Sequence, residues 1–228
     1  VRSPDLDNPS TSIDQESVGK PTESHFDDPI VPTTKRGRRT RERLVAAAAE
    51  VLVRDGYLDT KITDISQTAG MSNGSFYTYF RSKAEILGAL SDRINAEMYE
   101  ASMLPREEGL SPRERIEQVN RSYVRAYRAN AGLLGIIEQV STFNNEFREM
   151  RRVTRETFRS RIERSLRRLA DTGAIPPLEH PRAAADALTS MVSNFCYISM
   201  VLGENYDEDT TVDTLTTLWV RGIGLEKA

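Results

Sequence analysis

Cysteine and histidine are almost missing from these 228 residues, which hold one of the first, Cys196, and two of the second, His25 and His180. A single cysteine excludes an internal disulfide framework and fits a reducing cytoplasm. Two distant imidazoles and one thiol cannot assemble a metal cluster, and no nucleophile–base–acid set is visible. No glycine-rich loop of the phosphate-cradling kind occurs either. No catalytic residue, metal ligand or cofactor is therefore expected, and the chain does not read as an enzyme. No apolar run approaches the roughly 20 residues that span a bilayer, and the first residues lack the basic-then-apolar order of a secretory signal. Strand-like alternation is lacking as well, so the expected class is all-α.

What is present is charge, unevenly placed. The formal balance is −3 overall, with 29% charged and 38% hydrophobic residues. Residues 1–34 hold seven acids against two bases and five of the ten prolines. Such a segment buries too little apolar surface to offset its ordering entropy, and a disordered tail is expected there. Residues 35–83 reverse the sign, with ten bases against five acids. That excess begins in KRGRRTR, residues 35–41, five cations in seven positions. A run of this kind is a solvated arm by default, and a local positive field is also what a nucleic-acid backbone attracts.

From Thr40 the apolar residues recur at helical spacing: Leu44, Ala47, Ala48, Val51, Leu52. Gly56 should end this helix. Thr60 is placed to cap a short second one carrying Ile62, Ile65 and Ala69, which Gly70 ends. Ser72 caps a third over about 73–79, and Ser82 with Glu85 reads as a capping box for a fourth. Further helices are expected from Ser111-Pro112, over 132–140, over 142–171, over 181–203 and over 209–224. The total is about nine. The chain divides into the tail (1–34), a basic unit (35–83) and a larger helical unit (84–228).

Two short helices joined through Ala69-Gly70-Met71, the second opening on a serine cap, match the helix-turn-helix of DNA readers. The stretch GYLDTKITDISQTAGMSNGSFYTYFRSKAEIL, residues 56–87, resembles the N-terminal domain of TetR/AcrR-type transcriptional regulators. Thr60, Asp64-Ile65, Ala69-Gly70, Ser72, Gly74-Ser75-Phe76-Tyr77, Tyr79-Phe80 and Ser82-Lys83 stand where that motif places similar residues. The match covers about residues 40–90; beyond it only helix number and length fit. The resemblance implies a bacterial cytoplasmic regulator at the nucleoid, a repressor more often than an activator. Its homodimer would set two recognition helices about 34–36 Å apart on a palindromic double-stranded operator.

Within that frame Phe76 and Phe80, four apart, face inward. Base contacts are expected from Thr63, Asn73, Ser75, Tyr77 and Thr78, with Asn73 able to make a bidentate contact to adenine. Thr63 reads a base edge or only supports the cap. Backbone contacts are expected from Thr60, Lys61, Ser72, Tyr77, Tyr79 and Lys83, with Tyr79 open between packing and phosphate. Lys35, Arg36, Arg38, Arg39 and Arg41 would form an arm in the adjacent minor groove.

In the larger unit, polar residues on apolar faces mark the lining of a pocket for a small, mostly apolar effector. Asn120, Tyr123, Tyr127, Phe143, Asn144, Phe147, Met191, Asn194 and Phe195 are the candidates, with Glu138 and Gln139 interrupting the neighbouring apolar run. Each has a plainer reading as a hydrogen-bonded core residue or helix-end contact. Arg148, Arg151, Arg152 and Arg155 suit an anionic group or a solvated face. Leu215, Trp219, Gly222 and Ile223 on the last helix suit a dimer seam or the core of one protomer. The rival to a ligand-responsive regulator is a helix-turn-helix protein without a small-molecule effector, architectural or controlled by a protein partner.

Overall fold

A computed structural model of the chain describes residues 30–103 and 109–225. Among these there are eight helices and no strand: α1 (Lys35–Asp59), α2 (Ile62–Thr68), α3 (Asn73–Tyr77), α4 (Lys83–Ala101), α5 (Pro112–Phe143), α6 (Asn145–Asp171), α7 (Pro181–Met200) and α8 (Glu208–Gly222). The expected tail lies outside the described residues over 1–29. Residues 30–34 lead straight into α1, where the Thr34 hydroxyl accepts from the Gly37 amide at 3.0 Å. The basic run is thus the opening of a helix that starts at Lys35, five residues before the expected Thr40. Gly37 sits in the first turn, where its lack of propensity costs least.

Leu44, Ala48, Val51 and Leu52 of α1 are fully buried and meet Ile65, Phe76 and Phe80, also fully buried, in one core. Gly56 interrupts α1 with φ 75°, a left-handed value that strains other residues, and the last turn runs on to Asp59. Thr60 does not cap α2. It closes α1, its hydroxyl donating to the Gly56 carbonyl at 2.6 Å, and is buried. Lys61 precedes α2 without a side-chain cap.

The end of α1 is then locked from a distance. The ammonium of Lys83, first residue of α4, donates to the carbonyls of Tyr57, Leu58 (3.2 Å) and Thr60 (2.7 Å) and lies 4.5 Å from the Tyr57 ring centre. A cation on the free carbonyls of a helix end satisfies acceptors that have no intrahelical partner and complements the helix dipole. Burial holds the Lys83 pKa below its ordinary value. Ser82 caps α4 as expected, accepting from the Glu85 amide at 3.1 Å. The return half of the expected box differs, since the Glu85 carboxylate accepts from the Arg81 amide.

The larger unit is built on α5, which opens with a true capping box of Ser111 and Glu114. It continues unbroken for 32 residues, absorbing the separate helix expected at 132–140. Gly132 and Gly135 do not break it; they let neighbours come close. A Cβ on Gly135 would lie 2.8 Å from Val201 Cγ1, and one on Gly132 3.2 Å from Val53 Cγ2. Gly132 therefore seats α5 against α1. Asn144 ends α5 and caps α6, its carbonyl oxygen accepting from the amides of Glu146 (2.9 Å) and Phe147 (3.2 Å). Gly173, at φ 74°, closes α6 with Ala174 N–H on the Leu169 carbonyl at 2.9 Å. The last helix is held to α5 by Arg121 on Asp209 (2.7 Å) and Arg125 on Glu208 (2.8 Å).

Substituting Lys83→Met keeps the apolar stem but strips the ammonium from three carbonyls. The unfolding free energy is expected to fall by about 1–2 kcal/mol, read from the urea midpoint. An unchanged midpoint would exclude this joint as a stabilising contact.

Candidate nucleic-acid interface and internal cavity

The turn between α2 and α3 is made by backbone. The amides of Gly70 and Met71 bond the carbonyls of Gln67 and Ser66, each at 2.9 Å, with Gly70 at φ 64°. From α1, the Arg43 guanidinium donates to the Ala69 carbonyl at 2.6 Å and pins the turn. Ser72 then caps α3, its hydroxyl accepting from the Ser75 amide at 3.4 Å and lying 2.9 Å from the Ser75 hydroxyl. A helix of five residues cannot hold itself together by propensity. It is held by Phe76 and Phe80, both 0% exposed with ring centres 5.8 Å apart, and by the Arg41 guanidinium 4.8 Å over the Phe80 ring.

The opposite side is left bare. Ser72, Asn73, Gly74, Tyr77 and Thr78 are exposed, as are Lys61 and Thr63 at the start of α2. Tyr77 keeps 56% of its surface exposed while its ring packs edge-on against Phe76 at 5.5 Å, so the phenol stands outward from a fixed base. A Cβ on Gly74 would meet nothing within 4 Å, so a large flat surface can approach the backbone there. Ser75 and Tyr79 are half-buried, Tyr79 against the core. Lys35, Arg36, Arg38 and Arg39 are exposed on the first turns of α1.

A cavity of about 840 Å³ lies in the larger unit, walled by α4, α5, α6, α7 and α8. Asn120, Tyr123, Tyr127, Met191 and Asn194 line it. The Asn120 amide is engaged with the Thr216 hydroxyl at 3.1 Å, so it ties α5 to α8 at the wall. Burial drives the phenols of Tyr123 and Tyr127 far above the ordinary tyrosine range, and both remain neutral donors. The fixed charges come from α5 and α6. Glu138 pairs with Arg151, and Arg161 donates to the carbonyl of Ser102, past the end of α4, and to its hydroxyl.

Residues 44–90 match the family model described as bacterial regulatory proteins, tetR family. By this match residues 44–90 are a tetR-type regulatory domain. The regulator TtgR of Pseudomonas putida is 32% identical over 63 residues, 28% of this chain and 30% of TtgR. The regulator EthR of Mycobacterium tuberculosis is 42% identical over 67 residues, 26% of this chain and 31% of EthR. These matches therefore span under a third of either relative. In overall fold the chain is similar to NalD of Pseudomonas aeruginosa, with TM-score 0.63, 20% identity, and coverage of 82% of this chain and 98% of NalD.

Against the TetR-type expectations several residues change place. Thr60, 3% exposed with its hydroxyl spent on Gly56, is withdrawn from any backbone contact. Lys83 is turned inward onto α1, its donors taken by carbonyls. Arg41 lies over Phe80, and the cations before it stand on a helix and not on an extended arm. In the larger unit Phe143, Asn144, Phe147 and Phe195 do not line the cavity. Phe143 is 54% exposed beside the Tyr57 ring, Asn144 is a cap, Phe147 is core and Phe195 packs on Tyr206. Leu215, Trp219 and Ile223 are buried within the protomer, and Trp219 reaches the cavity; of that expected seam only Gly222 is exposed. Ser102, Arg161 and Met98 line the cavity unforeseen, since nothing local in sequence marks which face of a long helix meets a void.

Cys196 is fully buried, and burial pushes its thiol up to about 12. Only the thiolate reacts, so at pH 8 alkylation of the native chain is expected to run about 1,000-fold slower than in denaturant. Because the folded value is the raised one, the protection holds at neutral pH and is lost as pH climbs toward 12. Equal rates in both states would contradict this packing of α7.

Proposed function

We propose that this protein is a DNA-binding transcriptional regulator, acting as a homodimer on a palindromic operator and released by a small effector. Residues 35–83 serve as the DNA-binding unit and 84–228 as the sensing and pairing unit. The observation that carries the reading is the division of α3 into two sides. Phe76 within it and Phe80 just past it are wholly buried, while Asn73, Tyr77 and the adjoining Thr78 face solvent. A short helix so anchored is a rigid plate for the major groove. Asn73 and Thr63 offer hydrogen bonds to base edges, and Tyr77 offers a ring to a thymine methyl or a hydroxyl to phosphate. Lys61, Arg36, Arg38 and Arg39 supply positive charge beside it.

Pairing is assigned to the apolar outer surface left on the last helices. Leu202 and Leu218 are more than half exposed, and Ala183 and Ala187 of α7 are open to solvent. An effector fits the cavity behind α4, whose size lies within the usual range for ligand sites, about 300–1,000 Å³. Repression is the sense of regulation favoured by likeness to NalD, the secondary repressor of a multidrug efflux pump.

The full chain, used to select fragments from random duplex DNA, is expected to enrich one palindrome. Tyr77→Ala should then weaken binding to it about 10- to 100-fold while circular dichroism stays unchanged. Joint replacement of Arg36, Arg38 and Arg39 by Gln should flatten the slope of log affinity against log salt by about 1–3. No enrichment at low ionic strength, or full affinity after Tyr77→Ala, would reject the reading.

A further inference from the structure

The cavity lining combines a few cations with a large apolar surface, which specifies a class of ligand. α6 supplies Arg151, Arg155 and Arg161 to the lining, and Glu138 is the one carboxylate among the lining residues. Arg151 is matched by that carboxylate and Arg161 is held by Ser102. The Arg155 guanidinium, one turn from that of Arg151, has no hydrogen bond or ion pair among the described residues, and Arg155 lines the cavity from an exposed position. The lining also holds Met98, Met150, Met191, Phe158, Ile162 and Trp219. Methionine side chains fill and vacate space easily, which suits a flexible apolar body over one rigid shape.

A guest with an anionic head would gain charge-assisted hydrogen bonds from Arg155 that a neutral guest forgoes. A cationic guest would be repelled by the same group. Resting on the reading of this cavity as the effector site, we infer that the effector is an anionic amphiphile: an apolar chain ending in a carboxylate or phosphate, the chain among the methionines and the head on Arg155. The planar guanidinium matches either head group with two parallel hydrogen bonds. Arg151 lies one turn behind to add attraction, partly offset by Glu138.

Trp219 is the single tryptophan of the chain and lines the cavity, so its emission reports occupancy without DNA. The full chain is titrated below micellar concentrations with dodecanoate, dodecyl phosphate, dodecanol and dodecyltrimethylammonium. At least one anion is expected to bind about 10-fold or more tighter than dodecanol, and the tighter of the two identifies the head group. Arg155→Gln should bring that anion to within about threefold of dodecanol and leave dodecanol unchanged. Arg164→Gln, an exposed α6 position outside the lining, should change neither. Equal binding of dodecanol, tighter binding of the ammonium, an unaltered preference in Arg155→Gln, or no response to any of the four would overturn the inference. Failure here leaves selection of a palindrome untouched, whereas failure of that selection leaves these affinities untouched, so the two are separately refuted.

Discussion

The ammonium of Lys83 is the contact on which the remaining geometry depends. α1 ends in a kink at Gly56 and an extra turn, a termination that leaves carbonyls unmatched, and Lys83 gathers them from the first residue of α4. The helix that begins at that cation runs 19 residues, about 28 Å at 1.5 Å per residue, to Ser102. There the Arg161 guanidinium takes up the carbonyl and hydroxyl of Ser102. Both ends of α4 are therefore held by charge-assisted hydrogen bonds, one to the end of α1 and one to the cavity wall. Between them Ile86, Leu87, Leu90 and Ile94 are fully buried, so the rod is greased along its length and fastened at its tips.

α3 is the other product of constraint. Five helical residues have no independent stability, so every feature of the turn is imposed by neighbours: Gly70 by its left-handed backbone, Ala69 by Arg43, Phe80 by Arg41. The cations of α1 consequently have two trades. Those near its start remain in solvent, while Arg41 and Arg43 are spent on the fold of α2 and α3. A single run of basic residues conceals that division, because solvation and packing call for the same residue type.

What could be read from sequence was whatever is decided within one turn of chain. The serine caps at Ser72, Ser82 and Ser111, the inward pair Phe76 and Phe80, the outward Tyr77 and the all-helical class are all local consequences of spacing and side-chain chemistry. Features decided by distant partners were not legible. Asn144 is chemically suited to a ligand and to a helix start, and only the place where α5 stops settles which. Gly132 and Gly135 look like helix breakers until Val53 and Val201 are found against them. The apolar face of α8 would serve a dimer or a core equally well, and α5, packing over it through Asn120, Arg121 and Arg125, took it for the core. Lys83 lies in the recognised motif, yet its role is fixed by carbonyls some 25 residues earlier.

The cavity wall and the unit of α1 to α3 touch through more than α4. Val53 packs on Gly132, and the Tyr57 ring lies 6.3 Å from that of Phe143, so the end of α1 is also seated on α5. The same Tyr57 offers its carbonyl to Lys83 and its ring to that ammonium. One residue thus stands where both routes from the cavity meet. An occupant can alter DNA affinity only by its difference in affinity for two arrangements of these joints, and by reciprocity DNA must then disfavour the occupant equally. Two seats on one short helix end make small independent motions of either route costly, because shifting α4 alone would pull Lys83 from carbonyls that α5 holds in place. Helices α1 to α3 are therefore tied to α4 and α5 at the same point, the α1 terminus.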